Sequence, residues 1–246
     1  MTEQIHYPNT PITEAVLDIR IQPQQANLGE LKEMCRLVER NYPKHEDAHE
    51  VRVDTEFQLG VSSSASARQN HIGYKCVSED GRQICQARIN GFSFSRLFPY
   101  EKWSLLRDES QRLWNIYRDR VQPTEIIRIA VRYINRIDIP GDRAELSDYL
   151  RTFPEVSEDL PQDLTGFFMQ LTIPHEDIGA TLLINQTIVP PPQEGFISLV
   201  LDLDLFRDRE VPQDEEGIWN YLEILHERKN HVFEACITDA SRELFQ

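Results

Sequence analysis

From Ala15 to Gln22 the chain alternates, with Ala15, Leu17, Ile19 and Ile21 against Val16, Asp18, Arg20 and Gln22. Period two is the mark of a half-buried strand. Asn27 followed by Glu30 is a capping-box signature, and Leu28, Leu31, Cys35, Val38 and Tyr42 then recur at three- and four-residue steps. That spacing predicts a helix with one buried stripe, closed by Pro43. Val51–Val61, His71–Ser78 and Arg82–Leu97 read as three strands, the last two joined by a tight turn at Glu79-Asp80-Gly81. Between them, Ser62–Asn70 is small and polar, the composition of a mobile loop. Pro99 suits a first helical turn, and Trp103, Leu106, Leu113, Trp114 and Tyr117 form the apolar face that follows.

The second half repeats this order. A long strand spans Glu125–Ile139, and Asp142 with Glu145 predicts a short capped helix to Phe153. After a Pro- and acid-rich connection, strands are predicted at Gly166–Ile173, Ala180–Val189 and Phe196–Phe206, with Pro190-Pro191-Pro192 interrupting hydrogen bonding. Asp214–Gln246 predicts a terminal helix of about 45 Å if continuous, and Thr238-Asp239 is the point where it would break. The fold class that follows is α+β: a mainly antiparallel sheet with long helices packed on one face. Two pseudo-repeated βαβββα halves, residues 1–122 and 123–246, would form a single compact domain.

Composition narrows the function classes. Lys and Arg number 26 against 41 Asp and Glu, a net charge of −15. An acidic chain of this kind is not built for non-specific nucleic-acid binding or for docking on anionic lipid. No apolar run reaches a membrane-spanning length, and Met1–Tyr7 lacks the basic and apolar regions of a secretory signal. Cys35, Cys76, Cys85 and Cys236 show no paired spacing and read as reduced thiols of a cytoplasmic protein.

Tyr7, Asn9, Pro11, Ile12, Glu14 and Ala15 spell Y-x-N-x-P-I-x-E-A. Three further segments accompany it: Phe94-Ser95-Arg96-Leu97 with Tyr100 and Trp103; Arg132 to Ile137; and Leu225, Asn230, Phe233, Thr238 and Asp239. Together they resemble a sporadically distributed, uncharacterised prokaryotic protein family of about this length. The resemblance brings no catalytic residue set. A patchy distribution implies horizontally transferred genes, among them antiviral defence and toxin–antitoxin components.

Candidate chemistry is sparse. His45-Glu46-Asp47-Ala48-His49 matches H-E-x-x-H by letter, but its flanks do not supply an apolar helix, so a solvated acidic connection is expected and no metal ligand is assigned. His175-Glu176-Asp177 reads as a hairpin turn. No phosphate-cradling glycine loop or nucleophile elbow occurs, so no catalytic residue or cofactor is assigned. The most informative constellation is a strand face: Arg128, Arg132, Arg136 and Asp138 share one side, opposite Ile127, Ile129, Val131, Tyr133 and Ile137. Arg20 and Arg88 are candidates to join it, with Asp18, Asp202 and Asp204 as neutralising partners. The row either pairs internally or binds an anion or an acidic segment through the guanidinium fork. Trp219, with Tyr221, lies off the main stripe of the terminal helix as a candidate contact, or packs on the sheet.

The leading expectation is a non-enzymatic cytosolic binding or regulatory protein, an accessory or neutralising component of a prokaryotic defence or toxin–antitoxin locus. Its partner would be a basic protein, toxin or effector from a neighbouring gene, and oligomers are compatible with it. The alternatives are a small anionic-ligand sensor using the arginine-lined face, and a metal-dependent hydrolase built on the two His-Glu-Asp clusters.

Overall fold

Two strands from opposite halves of the chain, β1 (Ile12–Ile21) and β6 (Ile126–Pro140), run antiparallel at the middle of one sheet. The computed structural model describes residues 7–22, 27–56, 64–162 and 164–246. The remaining strands are β2 (Lys44–Glu56), β3 (Ser64–Val77), β4 (Gln83–Arg88), β5 (Gly91–Leu97), β7 (Phe168–His175), β8 (Ala180–Val189) and β9 (Phe196–Arg207). Among the described residues these nine form a single sheet in the order β2-β3-β4-β5-β1-β6-β9-β8-β7. Every neighbouring pair is antiparallel. The α+β, mostly antiparallel reading therefore holds.

The helices are α1 (Leu28–Val38), α2 (Trp103–Val121), α3 (Leu146–Tyr149), α4 (Glu215–Cys236) and α5 (Asp239–Leu244). Leu31, Met34, Cys35 and Val38 of α1 share one core with Leu106, Leu113, Trp114 and Tyr117 of α2 and Ile218, Leu222 and Leu225 of α4. The sheet supplies Leu17, Ile19, Phe92, Phe94, Val131, Tyr133, Leu201 and Leu203, so that core draws on both halves. Each fully buried side chain of this size contributes about 1.5–3 kcal/mol.

Several expectations change. His45–His49 is not a connection: it lies in β2, an edge strand. Wet on several sides, an edge strand needs no clean alternation. The expected Ser62–Asn70 loop falls partly outside the described residues, and from Ser64 onward the chain is paired with β2. The expected strand Val51–Val61 begins earlier, and residues 57–61 lie outside the described set. Arg82–Leu97 is not one strand but the hairpin β4–β5, with Arg88 opposite Gly91 and a two-residue turn at Ile89-Asn90. Among the described residues the first half thus carries four strands after α1, not three.

Pro99 precedes its helix instead of opening it, because α2 starts at Trp103. Asp142 does not cap α3, whose N-cap is Glu145 with no side-chain bond. The terminal helix does break: Ile237 is extended, and the Thr238 hydroxyl accepts from the Ser241 N–H at 3.4 Å to open α5. Cys35 and Cys76 are not free thiols but form a disulfide tying α1 to β3, with Cα atoms 6.1 Å apart, inside the range that a disulfide spans. Cys85 and Cys236 are free and buried. No helix among the described residues is long and apolar enough to cross a membrane.

Gly91 locks the hairpin against the central strand. Its φ is +152°, and a Cβ there would stand 2.5 Å from the Ile19 carbonyl oxygen. Gly91→Ala is therefore expected to cost about 2–4 kcal/mol in denaturant unfolding; an unchanged midpoint would contradict this close approach.

Candidate functional site: a groove where the central strand stops

β1 is 10 residues long and β6 is 15. Their pairing ends with Ile12 opposite Asn135, while β6 continues to Pro140 alongside β9. The segment before β1 leaves the sheet. The Asn9 backbone N–H donates to the Phe245 carbonyl at 3.0 Å, and its side-chain amide donates to the Gln246 carbonyl at 2.7 Å. Tyr7 packs edge-on against Phe245 and donates from its hydroxyl to Glu234 at 2.8 Å. What remains between this arm, the end of β5 and the end of β6 is a groove of about 570 Å³. Tyr7, Phe98, Tyr100, Glu101, Arg136 and Asp138 line it. Phe98 is 60% exposed and Glu101 61%, so both are open to an incoming molecule.

Behind Tyr100 a polar chain runs into the core. The Tyr100 and Tyr133 hydroxyls lie 3.0 Å apart, and Tyr133 Oη is 3.2 Å from His226 Nδ1. His226 stacks on Trp103 at 4.3 Å between ring centroids, and Trp103 Nε1 donates to Glu223 at 2.7 Å. Lys229, only 5% exposed, holds its ammonium 3.6 Å from the centre of the Tyr133 ring. A cation over an aromatic face is attracted to it, but a ring replaces little of the lost hydration.

Burial therefore lowers the Lys229 pKa to about 7, with Glu234 pulling the other way. Burial first, then Lys229 and Arg107, lower His226 to about 3. Burial raises Tyr100 to about 12 and holds Tyr133 well above the ordinary phenol range. The cluster thus pairs neutral rings with one amine able to gain or lose a proton near neutrality.

The arginine row is paired internally. Asp18 accepts from Arg88 at 2.7 Å, Arg128 at 2.9 Å and Arg20 at 3.1 Å. Arg128 also reaches Asp204 at 2.7 Å and lies 4.4 Å over the Phe206 ring. Arg132 grips Asp202 with two bonds of 2.8 and 2.7 Å, yet its side chain stays 46% exposed. Arg136 donates to Asp138 at 2.8 Å and to Ser198 at 3.2 Å. The neutralising aspartates expected from the sequence are the ones found. Arg136 alone among these arginines also lines the groove.

The two His-Glu-Asp clusters do not meet. β2 and β7 are the opposite edges of the sheet, about 38 Å apart at the usual strand spacing. His49 stands beside His71, with ring centroids 5.4 Å apart. His175 and Asp177 are engaged by Arg228 of α4. Among the described residues no three His, Cys, Asp or Glu side chains converge as a metal-ligand set. Trp219 and Tyr221 are each only 7% exposed and belong to the core.

Sequence reasoning missed Lys229, although the signal was present. It falls in the apolar stripe, four residues after Leu225 and four before Phe233, where a charge needs a reason. Tyr7, Tyr100 and Arg136 line the groove, Trp103 and Tyr133 stand in the buried cluster behind it, and the half-buried Asn230 side chain lies 3.3 Å from His226 Nε2.

Two outcomes follow. Lys229 has a folded-state pKa below its unfolded value, so its stability contribution is complete above pH 10.5 and lost as pH falls to about 7. His226 likewise loses its contribution as pH falls from 6.5 to about 3. Lys229→Met is expected to raise unfolding stability at pH 6–7 by about 2–4 kcal/mol and to flatten its rise between pH 7 and 10. A destabilised variant with unchanged pH slope would contradict the buried-amine account. Asp18→Ala strands Arg88 and leaves Arg128 only Asp204, and should cost about 3 kcal/mol, against under about 1 kcal/mol for exposed Arg20→Ala, by thermal or denaturant unfolding. Equal costs would contradict the central place of Asp18.

The chain matches no family model and no curated protein.

Proposed function

We propose that this chain is a non-enzymatic binding or regulatory protein that takes a partner protein at the groove where β1 ends. The observation that carries this reading is the groove itself. It joins both halves of the chain, exposes an aromatic ring and carboxylates, and is backed by a buried cluster containing an ionisable amine. Apolar rings beside charged groups in a concave site are the ordinary make-up of a recognition surface.

The partner in this reading is a basic protein, toxin or effector encoded nearby in a prokaryotic defence or toxin–antitoxin locus. The net charge of −15 supports that class. Two duplicated halves, with helices kept to one side, belong to the same reading. They leave the paired arginine face, with Arg132 and Arg20 at its surface, as a second area of contact. A small anion held by Arg136 is the other reading drawn from this groove. Asp138 already occupies that guanidinium at 2.8 Å, which favours the partner reading.

A photo-crosslinking amino acid placed at Phe98 tests it, with Ile224, exposed on α4, as the control site. In cells of the source organism, position 98 should give one discrete adduct that position 224 does not. Identical patterns, or no adduct at position 98, would overturn the groove as the contact.

A further inference from the structure

The groove has a backbone edge as well as side chains. The Arg136 N–H donates to the Pro11 carbonyl at 2.8 Å, so it points toward the lane of β1. Backbone groups along a strand alternate sides, so Asp138, two residues on, turns its N–H and C=O toward that lane too. Beyond Pro11 the arm has turned away to Phe245, and among the described residues no strand occupies the lane beside Asp138. An unpaired strand edge in a groove is a template for one more strand.

The side chains give the charge of that strand. Arg136 is committed to Asp138 and Ser198. Glu101 has only a 4.0 Å approach from Arg96, so the groove's free charge is negative. The Phe98 and Tyr100 rings stand beside it, and carboxylate with aromatic face is the pairing that holds lysine and arginine side chains. A chain of net −15 draws such a segment in. We infer that the groove binds an extended basic segment of a partner protein, which adds as a strand to β6 at Asp138 and places its cationic side chains against Glu101 and the neighbouring rings. This rests on the groove being the site of contact proposed above.

The test is fluorescence anisotropy at physiological ionic strength with a labelled short peptide of alternating arginine and valine. Its glutamate counterpart and two versions N-methylated on alternate residues serve as comparisons. The arginine peptide should bind one per chain, and the glutamate peptide should not bind. One N-methylated register should weaken by at least about tenfold, because a strand uses the N–H groups of every second residue. Glu101→Gln should weaken the parent peptide about tenfold. Equal binding of all arginine peptides means charge attraction alone and overturns strand addition. Unchanged affinity in Glu101→Gln, or no binding at all, overturns it as well. If the crosslinker at position 98 still captures a partner when the peptides fail, the basic-strand inference falls while the groove stands; if both fail, both fall.

Discussion

The pairing of β1 with β6 is the constraint on which the rest depends. Among the described residues it is the only ladder joining the strands of the first half to those of the second. It also aligns both faces of the sheet. Leu17, Ile19, Val131 and Tyr133 belong to the shared core, and Asp18 pairs with Arg128 among the alternate residues. A slip of one residue would turn every one of these side chains over, burying arginines and exposing the core. The Asp18 lattice therefore acts as a register lock on the pairing that the core requires.

The same pairing creates the groove. Two adjacent strands of unequal length leave a step, and here the step falls at the centre of the sheet instead of at an edge. The arm before β1 does not fill the step because Asn9 and Tyr7 are bound to the end of α5 and to Glu234. The buried cluster lies directly behind, since Tyr133 of β6 carries the hydroxyl that Tyr100 of the groove meets. Lys229 over the Tyr133 ring places a proton-sensitive amine one side chain from the groove wall.

Periodicity read most strands and helices because burial on one face imposes it. It failed where that cause was weak or masked. The charged start of β2 is a solvated edge and shows no alternation. The β4–β5 turn hid inside an apparently continuous strand, yet it left a trace: Cys85 and Ala87 are buried at odd positions, Phe92 and Phe94 at even ones. The arginine face and its acidic partners were legible because both follow from period two. The groove was not, because it depends on where two strands stop relative to one another, which single-strand patterns do not encode. Lys229 was legible as a charge in an apolar stripe, but its aromatic partner lies 96 positions earlier in the sequence, beyond any local pattern.

Amide hydrogen exchange along β6 tests the central claim, a vacant strand lane at the middle of the sheet, most directly. In the free protein the Asp138 amide should exchange much faster than those of Ile137 and Ile139, which face β9. The arginine–valine peptide should slow the exchange of Asp138 and leave its neighbours as they were. An Asp138 amide as protected as Ile137 in the free protein, or unaffected by a bound peptide, would contradict the vacant lane.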